Sequence, residues 1–183
     1  SLKTGRVYRE PVFTMTIPEG LTLEQIAQVV NKNTSYTADE FMEVVTSDAF
    51  VSKMMATYPT LITNEVLNEQ IRYDLEGYLY PATYPFYEES PSIETIIETM
   101  IEQLNKLVLD YSAAIEERNL TVHQFLTFAS LLEEEATAQT DRETIASVVY
   151  NRLEIGMPLQ TDPTVLYALG SHNDRVLYAD LEV

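Results

Sequence analysis

Four times along the chain a threonine is followed, three residues later, by a glutamine or glutamate at the foot of an apolar run. The pairs are Thr22 with Gln25, Thr37 with Glu40, Thr121 with Gln124, and Thr140 with Glu143. In such a capping box the hydroxyl accepts the N–H of the third helical residue, and the amide or carboxylate reaches back to the threonine N–H. Each pair therefore fixes a helix start. Behind Thr22, the residues Leu23, Ile26, Ala27 and Val30 fall on one face. Behind Thr121 the run "FLTFASLL" leads directly into Glu133, Glu134 and Glu135. Behind Thr140, Ile145, Val148, Val149 and Arg152 share a face, and Gly156 is placed to end the helix as its C′ residue.

The intervening segments complete an α+β reading. "VFTMTI" (12–17) has strand composition and "PEG" (18–20) is a turn. Together with the first two capped helices this predicts a small βαα subdomain over 8–62. "AFVSKMMATYP" reads as a series of short hydrophobic turns. "LEGYLYPATYPFY" (75–87) reads as extended and partly buried, because Pro81 and Pro85 argue against a helix or a central strand. Over 92–118, Ile93, Ile96, Ile97, Met100, Leu104, Leu107 and Val108 recur at helical spacing. A mostly helical region over 63–183 is thus expected. Near its end Asp162 before Pro163 is a helix start. The preceding "PLQTD" forms a loop with an amide, a hydroxyl and a carboxylate in three residues, fit either to orient a polar ligand or simply to cap the helix.

Composition excludes several classes. A formal net charge of -18 and a pI of about 4.3 argue against nucleic acid and anionic membrane surfaces as partners. The absence of cysteine excludes disulfides and thiolate chemistry. No run reaches the ~18 apolar residues of a membrane span. The opening "SLKTGRVYREP" lacks an initiator methionine and a signal peptide, so an excised soluble piece of a longer protein is expected.

The three acids at 133–135 are not equivalent on a helical wheel. With Val122 at zero, Leu126 falls near ~40°, Ala129 near ~340°, Glu133 near ~20° and Ala136 near ~320°, whereas Glu134 lies near ~120° and Glu135 near ~220°. Glu133 is thereby expected within the apolar stripe, aimed at the core or at a cleft. A carboxyl in apolar surroundings resists ionisation, which suits a general acid at neutral pH. A structural ion pair with Arg142 or Arg152, or a solvated face, is the competing reading.

Several segments together resemble one family. "LEGYLYPATY" (75–84), "ASLLEEEA" (129–136), "ASVVYNRLEIGMPLQTDPTVLYALG" (146–170) and the closing "ADLE" are similar to the MltG/YceG-like endolytic murein transglycosylases, bacterial enzymes that cleave peptidoglycan and are held to the plasma membrane by one N-terminal helix. "TIPEGLTLEQIAQVV" resembles the LysM-like subdomain of that family, a type of module that binds N-acetylglucosamine polymers. The resemblance implies a LysM-like unit over 8–62 and a transglycosylase catalytic region over 63–183, truncated at its C-terminus.

It further implies that Glu133 is the single catalytic acid and base, and that Gln160, Thr161, Asp162, Tyr150, Asn151 and Glu135 contact substrate. Glu134 stands where the family often has lysine. Ala82 replaces the usual aspartate of the "GYLFPDTY" pattern, so no role carries to that position. The implied reaction cleaves the β-1,4 bond after N-acetylmuramic acid, leaving a 1,6-anhydro ring, with no metal or cofactor. The implied setting is the extracytoplasmic face of the plasma membrane, among other wall-synthesis proteins and anchored by a segment absent here.

Two alternatives are carried. One is a non-catalytic glycan-binding or scaffold module of the wall-synthesis machinery. The other is a pyridoxal-phosphate lyase, which the sequence disfavours because Lys3, Lys32, Lys53 and Lys106 all lie away from any glycine-rich phosphate cradle.

Overall fold

A computed structural model describes residues 9–135 and 141–157, together with Tyr167. The element order is β1 (Phe13–Thr16), α1 (Leu23–Asn33), α2 (Ala38–Val45), α3 (Asp48–Thr57), a 3₁₀ turn (Asn64–Leu67), β2 (Thr83–Phe86), α4 (Ile93–Glu117), α5 (Val122–Glu135) and α6 (Asp141–Glu154). The class is α+β, as expected. The chain divides into two compact units, the first ending at His123 and the second beginning at Gln124. The expected division between 62 and 63 falls inside the first.

In the first unit the capping boxes form as the sequence dictates. Thr22 accepts from Gln25 N–H at 3.3 Å while Gln25 Oε1 accepts the Thr22 N–H at 2.9 Å. Thr37 and Glu40 repeat the arrangement at 3.2 and 2.7 Å, and the two hydrogen bonds from Thr37 hold the Glu40 carboxyl below its ordinary range. Leu23, Ile26, Ala27 and Val30 are buried on the inner face of α1. Ser92 caps α4, which buries Ile93, Ile96, Ile97, Met100, Ile101, Leu104, Val108 and Ile115. That helix ends at Asn119, whose φ of 53° lies in the left-handed region that asparagine tolerates. The Leu120 N–H then returns to the Ile115 carbonyl at 3.2 Å, and the Asn119 N–H to Glu116 at 2.9 Å, closing a Schellman motif.

Two segments differ from expectation. Residues 48–57 form the helix α3, not a series of turns. Ser47 caps it by accepting the Phe50 N–H at 3.3 Å, and Phe50, Val51 and Met54 are buried. Residues 83–86 form a strand, paired antiparallel with β1 in the register Phe13–Phe86, Thr14–Pro85, Met15–Tyr84, Thr16–Thr83. Proline is tolerated there for a geometric reason. The Ile17 N–H donates to the Ala82 carbonyl at 2.9 Å. Antiparallel ladders alternate bonded and non-bonded pairs, which makes Thr14–Pro85 a non-bonded pair: the backbone nitrogen of Pro85 faces away from β1, so its missing N–H costs the ladder no hydrogen bond.

The turn preceding β2 is fastened to the start of α1. Glu76 accepts the Leu23 N–H at 2.9 Å, and Glu24 accepts from Arg72 at 2.9 Å and from the Tyr73 hydroxyl at 2.7 Å. Lys53 bridges Glu94 and Glu98 at 2.7 and 2.6 Å, tying α3 to α4. Leu75, Tyr78 and Leu79 bury the other side of the same turn.

Candidate active site

The candidate residues cluster by sequence on α5, α6 and the segment 160–162. α5 starts at Val122, the position that a cap at Thr121 predicts, and runs unbroken through Glu135. Its inward side is not the one that the wheel indicates. Leu131 is buried, Phe125, Phe128, Leu132 and Glu135 are half-buried, and Ala129, Glu133 and Glu134 are exposed. Val122 and Leu126, near 0° and ~40°, are half-buried as well, so the stripe is partly covered over the first turn; from Phe128 onward the more buried side spans roughly 180–280°, where Phe128, Leu131, Leu132 and Glu135 fall. The expectation that Glu133 points into apolar packing is therefore corrected: it stands at the surface. The reason is area. A buried phenyl ring withdraws ~150–250 Å² from water, far more than the methyl of Ala129, so the rings set the helix rotation.

α6 supplies the opposing aromatic. Tyr150 is half-buried with its ring centroid 4.6 Å from that of Phe128, tilted by 47°. An offset, tilted ring pair of this kind adds ~0.5–1.5 kcal/mol beyond area burial. Val149 beside it is buried, and Asn151 is exposed. The helix ends as its glycine predicts. Gly156 has φ 65°, and the Met157 N–H donates to the Arg152 carbonyl at 2.7 Å. Gln160, Thr161 and Asp162, and the cap Thr140, lie outside the described residues. The structure thus brings Tyr150 onto α5 through Phe128, and places Glu133 and Glu135 on different sides of that helix.

Sequence reasoning does not single out Phe128. Its signal is the pair Phe125 and Phe128 at helical spacing, which outweighs the stripe of smaller residues. Nor does it single out the contact made by His123. This residue reads as a packing or surface histidine, and it does pack: its Nδ1 lies 3.0 Å from the Tyr78 hydroxyl, and the two rings stack at 6.1 Å. Burial, with the Glu65 charge adding, pushes the Tyr78 hydroxyl above the ordinary tyrosine range. Burial raises Tyr84 in the same way, and its hydroxyl donates to the Tyr80 carbonyl. Tyr78 and Tyr84 are therefore packing residues, while Tyr87 is exposed and lies beneath the Arg9 guanidinium. Among the described residues no cluster of three metal-ligating side chains occurs, and no helix is long and apolar enough to cross a membrane.

Comparison with known proteins places these features in one family. The YceG-like family model matches residues 1–183. A Bacillus subtilis (strain 168) protein named endolytic murein transglycosylase is 48% identical over 171 residues, which is 93% of this chain and 48% of that protein. A protein of the same name from Streptococcus pneumoniae serotype 2 (strain D39) is 44% identical over 179 residues, 94% of this chain and 32% of that one. A crystal structure of a YceG-like protein from Listeria monocytogenes matches with a TM-score of 0.88 at 43% identity, covering 98% of this chain and 58% of that one. The chain thus spans about half the length of its Bacillus relative and about a third of its Streptococcus relative.

Proposed function

The chain belongs to the YceG-like family, and from that premise we propose that it forms the acid-bearing part of an endolytic murein transglycosylase. The observation that carries this reading is the 48% identity, over 93% of the chain, to the Bacillus subtilis protein of that name. The substrate is a peptidoglycan glycan strand, cleaved at the β-1,4 bond between N-acetylmuramic acid and N-acetylglucosamine. A unit over 8–62 of LysM-like character holds the glycan, with β1, α1 and α2 supplying its strand–helix–helix part. The setting is the extracytoplasmic face of the plasma membrane, with an anchor outside this sequence and other wall-synthesis proteins as neighbours.

Most glycosidases divide the chemistry between two carboxyl groups. Here Glu133 performs both steps. Its protonated carboxyl gives a proton to the glycosidic oxygen as positive charge develops at C1 of the muramyl sugar. The carboxylate then takes the proton of the muramyl 6-hydroxyl, whose oxygen attacks C1 and closes a 1,6-anhydro ring. The C1–O4 bond breaks, the C1–O6 bond forms, and no water is consumed. The internal hydroxyl is held at a high effective concentration.

The exposure of Glu133 in the free chain is compatible with this role. A glycan lying over α5 withdraws the carboxyl from water, and that desolvation favours the protonated acid. Tyr150, Asn151 and Glu135 flank the strand, and Gln160, Thr161 and Asp162 orient it.

The test is a digest of purified peptidoglycan by the full-length protein in ¹⁸O-labelled water, read by mass spectrometry. Unlabelled anhydro-muropeptides are expected. Labelled reducing ends would identify a hydrolase instead. Glycan retained without any cleavage would identify a binding or scaffold module.

A further inference from the structure

We propose that Phe128 is a positioning residue for Glu133. By seating α5 against the Tyr150 ring of α6, it fixes the rotation of α5 about its own axis, and with it the direction of Glu133 relative to the α6 residues Tyr150 and Asn151. The proposal rests on the transglycosylase reading above. All four residues belong to the second compact unit, and the ring contact lies within that unit.

Phe128 and Tyr150 are both half-buried, with ring centroids 4.6 Å apart and planes tilted by 47°. Each ring has a buried aliphatic neighbour on its own helix. Leu131 lies three residues after Phe128 on α5, so the two share a side, and Val149 precedes Tyr150 on α6. A tilted pair at this separation is the arrangement that the ring quadrupoles favour, and it is directional in a way that aliphatic packing is not. An aliphatic side chain at 128 would fill the space and leave the angle about the helix axis less well set. Among the described residues of α5, Leu131 is the buried apolar side chain. The ring contact therefore carries much of what holds the rotation.

Phe128 does not reach the side of the helix that bears the acid. On the wheel it falls near ~240° and Glu133 near ~20°, a separation of ~140°, and the five intervening steps place them ~7.5 Å apart along the axis. None of the proposed chemical steps uses Phe128. It acts through the helix, which runs unbroken from Val122 to Glu135 and passes a rotation at Phe128 on to Glu133. A helix with its side chains is ~10–12 Å across, which puts a side-chain tip ~5–6 Å from the axis. A rotation of about 10° therefore carries the Glu133 carboxyl by ~1 Å, and a misplacement of ~1 Å costs on the order of 10²-fold in rate. Tyr150 and Asn151 stand on α6 and do not rotate with α5. The displacement is thus felt between the acid and the α6 residues assigned to flank the strand.

The experiment measures release of anhydro-muropeptides by the full-length protein over a range of glycan concentrations, at a temperature below the thermal melt of every variant. The set is wild type, Glu133→Gln, Phe128→Leu, Phe128→Tyr, Asn151→Ala and the double variant Phe128→Leu/Asn151→Ala. Phe128→Leu is expected to lower kcat about tenfold with KM changed less than about twofold, the pattern of a contact felt only in the transition state. Phe128→Tyr keeps the ring and is expected to stay within about twofold of wild type. In the Asn151→Ala background the loss from Phe128→Leu is expected to shrink to under about threefold, because a group against which the acid was aligned is already gone.

Activity of Phe128→Leu within about twofold of wild type would overturn the positioning role while leaving the transglycosylase reading intact. Equal losses in Phe128→Leu and Phe128→Tyr would overturn it as well, as would a full tenfold loss persisting in the Asn151→Ala background. An inactive wild type would sink the transglycosylase reading and this proposal with it. If Phe128→Leu does not fold, Phe128→Met, which also removes the ring, is read by the same criteria.

Discussion

The two compact units do different work. Among the described residues, every buried apolar side chain except Leu131 and Val149 lies in the first unit. The second unit carries the acids of α5 and the Tyr150–Asn151 step of α6. Among its described residues its packing rests on those two buried side chains and the Phe128–Tyr150 ring pair. Among the described residues, buried apolar packing and the proposed chemistry thus fall in different stretches of the sequence.

This contrast can be broken by substitutions that touch one side only. The largest effect is expected from Glu133→Gln, which under the proposed mechanism lowers the rate of anhydro-product formation by ~10²–10⁴-fold. Its urea midpoint should stay that of the wild type, because the carboxyl is exposed. A changed midpoint with retained activity would reverse the assignment of the two regions. Phe41→Ala is the mirror experiment. Phe41 is fully buried in α2, and its truncation should cost ~3–5 kcal/mol in chemical denaturation. A loss below about 1 kcal/mol would show that the first unit is not the source of stability.

Smaller effects sharpen the picture within the first unit. Thr22→Ala removes the hydroxyl that caps α1 and should cost ~1 kcal/mol. Because Glu76 also caps this helix at Leu23, the double change with Glu76→Ala should cost more than the sum of the two single changes if the two caps substitute for one another. The smallest effect concerns Asp74. Burial, followed by the charge of Asp48, raises its carboxyl above the ordinary range. A raised carboxyl means that the ionised group disfavours the folded state above that pKa. The linkage term weakens as pH falls and the group protonates. Asp74→Asn should therefore be slightly more stable than wild type at neutral pH, with the difference fading in the acid range. A difference that grows on acidification would contradict the assigned cause.

Much of the first unit was legible because its signals are local. Thr22–Gln25 and Thr37–Glu40 fix helix starts by hydrogen bonds within four residues, and the spacing from Ile93 to Val108 fixes α4. The start of α5 at Val122 and the Gly156 end of α6 were equally readable. What was not legible depended on partners distant in sequence. α3 is only ten residues long, and its helical face becomes evident once Phe50, Val51 and Met54 have a core to enter. β2 was read as extended but not as a strand, because the meaning of Pro85 depends on the ladder register with β1. For the site, the order of the acids along α5 was readable and their burial was not. The wheel counted Ala129 like a core residue, whereas the rings of Phe125 and Phe128 set which side turns inward.

That miss makes the choice between two glutamates the most direct test of the central claim. Glu135 is half-buried and Glu133 exposed, so burial in the free chain favours one and the proposed chemistry the other. Glu133→Gln and Glu135→Gln should be compared in the same full-length protein, on the same glycan strands, by counting 1,6-anhydro ends. The account predicts that Glu133→Gln abolishes them while Glu135→Gln still produces them at a reduced rate. Anhydro ends from Glu133→Gln, and none from Glu135→Gln, would contradict it.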